Sequence, residues 1–321
     1  MKREAWIDFL KGVGILSVVV LHIIGAESGI IIKYFLSFHM FMFFSLSGYC
    51  MNEEKYVNNY KLFIRSRIKT LIYPYIFFSC INFIYSLFHS NDDFIHKIIN
   101  NSFFQTTAWP AIWFLAALFI VENIAFFLIK FVKSDIVKIF ICFALIAFSL
   151  IKWDNYFYYR QAMLCTLFWI MGYFLRKYLL LPKLKSLLYC VITMGIGFIL
   201  CVINKTVLVG AFKLGIVPLT ILSACFSTVG WCILAMLLDK RKTYVYSIIE
   251  KTGRNSLVIL CTHMYFITLW RTVLEYFKIS SMCDFFVLIL TLLCEIPIIY
   301  IYRKKYFTHL FTKILGKKGM A

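Results

Sequence analysis

The chain has 321 residues, of which 62% are apolar, 19% aromatic and only 15% charged. A soluble domain of this length has no core large enough to hide that apolar surface, so a soluble enzyme is excluded and a polytopic membrane protein is expected. The formal charge of +19 invites a nucleic-acid reading, but its placement along the chain favours membrane topology instead.

Crossing about 30 Å of hydrocarbon takes roughly 20 helical residues. Apolar stretches of about that length centre near residues 18, 42, 80, 120, 143, 168, 195, 226, 265 and 291. The expectation is an all-α bundle of about ten transmembrane helices, with 136–151 and 207–238 the shortest or most interrupted. With both termini cytoplasmic, the inner segments 1–11, 52–69, 130–138, 176–185, 239–254 and 303–318 carry 26 of the 34 lysines and arginines. That is the positive-inside pattern, and no nucleic-acid partner is needed to explain the charge. The first apolar segment is followed by Glu27 rather than a small-residue cleavage site, so it is expected to stay as a helix. Residues 1–321 read as one membrane-embedded domain with no appended soluble one.

The first helix carries Ile7-Asp8-Phe9-Leu10-Lys11-Gly12 at its start and His22 towards its end. Lys11 and His22 are eleven positions apart, almost three whole turns, so both project from one face about 16 Å apart along the axis. Asp8 and Lys11 belong to the inner boundary and His22 to the outer half. The second helix returns from Lys33 through Phe38-His39-Met40 to Phe43-Phe44-Ser45-Leu46-Ser47-Gly48-Tyr49. His39 then lies about 9 Å below the outer surface, at a depth close to that of His22. Ionisable groups inside a membrane are costly, and they mark reaction sites or transport paths more often than packing alone.

Further along, Arg65, Arg67 and Lys69 fall within five residues just before Tyr73-Pro74-Tyr75. Cations there either anchor the helix at lipid headgroups or bind the phosphates of a ligand, for which arginine is suited. Trp109-Pro110-Ala111-Ile112-Trp113-Phe114-Leu115 places aromatic residues at the outer edge of the fourth span, and Gly253-Arg254-Asn255-Ser256-Leu257 precedes a span holding His263. The Gly-x-Asn-Ser run reads equally well as a loop capping the helix that follows. Eleven cysteines are scattered with no Cys-x-x-Cys pair and no Cys/His cluster, so neither a disulfide framework nor a metal site is expected.

Taken in order, the Lys11-to-His22 spacing, the Phe-His-Met and Leu-Ser-Gly-Tyr runs, the basic segment ending in Pro-Tyr, Trp113-Phe114-Leu115, Gly172-Tyr173-Phe174 and Gly253-x-Asn255-Ser256 resemble the acyltransferase-3 family of integral membrane acyltransferases. The resemblance continues through Pro297, Arg303 and Gly316 and so covers essentially the whole chain. It implies an O-acyltransferase moving an acyl group, usually acetyl, from acetyl-coenzyme A to a hydroxyl of a carbohydrate-containing acceptor, in a bacterial inner membrane. His22 matches the family's essential histidine and Lys11 its basic companion. Arg65, Arg67 and Lys69 become the expected partners of the coenzyme A phosphates, with His39 and Asp8 the candidate substrate contacts. The family's Arg-x-x-Arg is incomplete, since Arg67 fills its first place and Thr70 its second. Whether His22 acts as general base or accepts the acyl group covalently stays open. Ser45 and Ser47 stand near the histidines as candidate oxyanion donors or as hydroxyls bonded to their own helix. The rival from another class is a flippase or carrier for lipid-linked sugars, which shares the hydropathy but has no use for the Lys11/His22 register.

Overall fold

In hydrocarbon every backbone N–H and C=O must be satisfied inside the protein, so an apolar chain of this kind is driven to helix. The computed structural model of the chain describes residues 4–26, 28–89, 110–151, 158–278 and 283–303. Among them the only non-helical pairing is the isolated bridge between Leu208 and Lys213.

The helices follow the expected order. They are α1 (Ala5–Ile24), α2 (Ile30–Tyr49), the short α3 (Glu53–Tyr56), α4 (Tyr60–Arg67), a π-helical turn (Ile68–Ile72) and α5 (Tyr73–His89). After a 3-10 turn (Pro110–Ile112) come α6 (Trp113–Phe131), α7 (Asp135–Ser149), α8 (Tyr159–Lys177), the short α9 (Leu180–Lys183) and α10 (Leu187–Ile203). The last four are α11 (Val217–Leu238), α12 (Tyr244–Arg254), α13 (Ser256–Tyr276) and α14 (Cys283–Arg303).

All ten expected centres lie inside helices, but six of these, α1, α2, α6, α11, α13 and α14, are long and apolar enough to cross a membrane. The others depart for identifiable reasons. Helix α7 has 15 residues and α10 has 17, about 22 and 26 Å. Helix α8 carries Arg160 near its start and Arg176 and Lys177 at its end. The interrupted stretch 207–238 resolves into a short loop followed by the 22-residue α11.

Close helix approaches hold the bundle together, and the glycines of the sequence motifs make them. A Cβ on Gly48 of α2 would lie 1.9 Å from the Trp169 carbonyl oxygen of α8, and one on Gly172 of α8 would lie 1.8 Å from that of Ser45. Gly12 of α1 and Gly253 of α12 meet in the same way, against Ile249 and Asp8. Small residues let membrane helices touch backbone to backbone, where dispersion contacts are densest. Helix α1 runs through the middle and touches α2, α11, α12, α13 and α14. Helices α2 and α6 are buried over most of their length, whereas α14 is largely exposed.

Among the described residues, the basic segments of 52–69, 130–138, 176–185 and 239–254 converge on one end of the bundle. Arg176 donates to the Tyr49 carbonyl (3.0 Å), Tyr173 donates to Glu53 (2.6 Å) and Lys177 reaches Asp135 (2.6 Å). Arg254 pairs with Asp8 (3.6 Å) at that end. At the opposite end Arg271 donates to the Ile23 carbonyl and Lys33 to that of Val202. The tail beyond Arg303, with Gly316, and Glu27 and Trp109 lie outside the described residues.

Candidate functional site

Two cavities lie along α1. The first, of about 300 Å³, is lined at the basic end by Lys11, Ser47, Cys50, Arg67, Thr70 and Glu122 among apolar neighbours. The second, of about 540 Å³, opens towards the other end and is lined by His22, His39, Trp113, Tyr158 and the loop 207–211. Lys11 and His22 therefore share a helix face, as their spacing requires, yet serve different cavities.

Helices α1, α2, α4, α6 and α13 and the π-helical turn line the first cavity. Arg67 closes α4, and the next turn is π-helical, with the Tyr73 N–H bonded to the Ile68 carbonyl. Pro74 follows and has no N–H to continue the regular ladder, which explains a wide turn at this point; such turns recur at functional sites. The bulge brings both Arg67 and Thr70 to the cavity. Arg65 and Lys69 are exposed and do not line it. Arg67 forms an ion pair with Glu122 of α6, and its guanidinium lies 5.2 Å from the Phe63 ring centre and 5.5 Å from that of Tyr56. Ser47 of α2 donates to the other Glu122 oxygen at 2.6 Å. Glu122 offsets Arg67, which leaves Lys11 as the unbalanced charge among the lining residues. No hydrogen bond or ion pair ties Lys11 down within the described residues.

Two histidines, His22 and His39, line the second cavity, and a third, His263, is buried behind His22. The His22 ring, half-buried, stands 5.3 Å from that of His263, tilted by 42°. His39 is buried close enough to His22 for their charges to interact. Nδ1 of His39 lies 2.7 Å from the Phe35 carbonyl, and Nδ1 of His263 2.7 Å from that of Ile259. A carbonyl only accepts, so each Nδ1 carries the proton and each Nε2 presents a lone pair. His263 Nε2 is buried with no hydrogen-bond partner among the described residues. Of the three, His22 is the ring that a molecule in the cavity reaches most directly.

The far wall is a loop held in place by polar contacts. Gln161 donates to the Gly210 carbonyl at 2.9 Å, and the Arg160 guanidinium lies 4.1 Å from the Phe212 ring centre. The Asn204 side chain accepts from the N–H groups of Lys205 and Ile216, both at 2.8 Å, and donates to Thr220 at 2.7 Å. Trp113 and Tyr158 stand 6.0 Å apart on the same cavity.

The expected site residues thus separate. Lys11 and Arg67 join in one cavity and His22 and His39 in the other. Asp8 lines neither; buried at the crossing of α1 and α12, it pairs with Arg254, which also pairs with Glu250. Ser45 bonds its own helix at the Phe41 carbonyl (3.0 Å), whereas Ser47 bonds Glu122. Asn255 stands at the N-cap of α13, where its carbonyl accepts from Val258 and Ile259, but its side chain makes no capping bond and turns back to the Lys251 carbonyl of α12 at 2.6 Å. Glu122 and the pairing role of His263 escaped sequence reasoning. A single acid inside the apolar stretch 113–131 was the available signal for Glu122, since a carboxylate there requires a partner.

A family model described as an acyltransferase domain, that of the acyltransferase-3 family, matches residues 4–301. No curated protein and no solved structure matches the chain.

Proposed function

Because this chain belongs to the acyltransferase-3 family over residues 4–301, we propose that it moves an acyl group, acetyl by preference, from acyl-coenzyme A to a hydroxyl of a cell-surface or lipid-linked carbohydrate. One observation carries the reading: Lys11 and His22 lie on a single face of α1 and line two adjoining cavities, one basic and one rich in histidine.

The donor enters the basic cavity. Arg67 and the exposed Arg65 and Lys69 attract the coenzyme A phosphates, and Lys11 orients the arm that carries the thioester. The acceptor occupies the histidine cavity, where Trp113 and Tyr158 offer faces for a sugar ring. A sugar hydroxyl is a weak nucleophile at neutral pH, and His22 supplies either a base for its proton or a nitrogen that carries the acyl group briefly. His263 packs against that ring at 5.3 Å, and His39 lines the same cavity. The basic end is assigned to the cytoplasm, both termini with it, and α5, α7, α8 and α10 complete ten spans in a bacterial inner membrane. Convergence of the basic segments on one end supports that orientation.

The test is acyl-coenzyme A cleavage by purified protein in lipid nanodiscs with radiolabelled acetyl-coenzyme A. His22→Ala is expected to lower turnover by about 10²–10⁴-fold, while Cys142→Ala, a core thiol at 0% exposure, leaves it near wild type. Wild-type turnover in the His22 variant removes the central role. No interaction of the wild-type protein with the donor removes acyl-coenzyme A chemistry and restores the carrier for lipid-linked sugars.

A further inference from the structure

Four helices line both cavities, α6 among them with Trp113 in the second and Phe114 in the first. On α1, Lys11 and Ile15 face the basic cavity, and Val18 and His22 the histidine cavity. On α2, Ser47 and Phe43 line the first, and His39 and Leu36 the second. On α13, Ser256 and Leu257 line the first, and His263 lies one turn past Leu260. Met40 of α2 and Leu260 of α13 line both cavities, at 8% and 7% exposure. They are the partition between the two.

Both partition residues are apolar, so neither offers a hydrogen bond to a nucleotide, a sugar or an ion. An apolar group is the one matched to the space beside them. Their place is next to the histidines: Met40 follows His39, and Leu260 lies three residues before His263, whose ring faces His22.

We propose that Met40 and Leu260 form the acyl-length gauge of this enzyme, an inference that rests on the acyl-transfer reading above. On this reading a thioester held in the basic cavity brings its carbonyl carbon to His22 past the two residues that the cavities share, and the acyl chain lies against them as it does so. There the acceptor oxygen bonds the acyl carbon while the carbon–sulfur bond breaks and its electron pair leaves on sulfur. The hydroxyl proton goes to His22, and the thiolate takes up a proton from solvent in the basic cavity. Met40 and Leu260 are both nearly buried, so each methylene beyond an acetyl methyl displaces one of them from a packed interior, which costs free energy.

The experiment compares acetyl-, butyryl- and hexanoyl-coenzyme A, each radiolabelled in the acyl group, with wild-type, Met40→Ala, Leu260→Ala and Leu260→Phe protein in nanodiscs. Cleavage of each donor and equilibrium binding of coenzyme A are both measured. Expected is a wild-type preference for acetyl that falls by about tenfold or more in either alanine variant, the discrimination that a methylene or two carries in an apolar pocket. Leu260→Phe is expected to cut acetyl cleavage about tenfold with coenzyme A binding unchanged; this holds the idea to account even where an alanine variant fails to fold. Active alanine variants with the wild-type chain-length preference overturn the gauge and leave acyl transfer standing. A wild-type protein that cleaves none of the three donors overturns the acyl-transfer reading, and the gauge with it.

Discussion

Arg67 and Glu122 show how a buried charge is held at this depth and what each member contributes. Glu122 is 2% exposed and its two oxygens are taken by Arg67 and Ser47. Removing one member of a buried ion pair strands the other, at a cost of about 3–5 kcal/mol. Arg67→Ala is therefore expected to lower both the melting temperature and the affinity for acyl-coenzyme A. In the double variant Arg67→Ala/Glu122→Gln the stranded charge is gone, so thermal stability should return while donor affinity stays down about 10- to 100-fold, the worth of a charge-assisted contact to phosphate. Thermal denaturation in detergent and donor titration separate the two effects. Donor affinity that recovers along with stability would show that Arg67 is a structural cation only.

At the scale of elements, helix crossings decide what the motif glycines are for. Gly172 meets the Ser45 backbone with no room for a methyl group, whereas Gly195 on α10 has nothing among the described residues within 4 Å of its Cβ position. Gly172→Ala must push α8 away from α2 and is expected to cost about 1–3 kcal/mol or more, seen as a lower melting temperature and loss of monodisperse protein. Gly195→Ala meets no neighbour and gains helix propensity of about 1 kcal/mol. Equal responses at the two positions would mean that backbone approach does not hold α2 against α8. The Gly12 and Gly253 contact fixes α12 on α1 in the same manner, which sets α13, and with it His263, beside His22.

For the whole molecule, orientation is the property with most bearing on mechanism, because donor and acceptor are assigned to opposite ends. Lys240, just past α11, and Lys213, in the loop beside the histidine cavity, are both exposed and lie at opposite ends of α11. In a background freed of cysteine, Lys213→Cys is expected to react with a membrane-impermeant maleimide in intact cells, and Lys240→Cys only after permeabilisation. The reverse pattern would place the basic cavity on the wrong side for cytoplasmic acyl-coenzyme A.

Composition by itself determined the class, since 62% apolar residues have no resting place but a membrane, and continuous apolar runs of about 20 residues satisfy their backbone there as helices. Motif order determined the family, and helical periodicity determined that Lys11 and His22 share a face, because the angle per residue is a local property of the backbone. Only the tertiary structure decided that those two residues serve separate cavities, that Asp8 belongs to a helix crossing, that Glu122 answers Arg67 and that His263 stands against His22. Each depends on which helices touch and at what rotation. That is settled by the shapes of several surfaces packed at once, glycine against backbone and ring against ring, and no single helix carries that information in its own sequence.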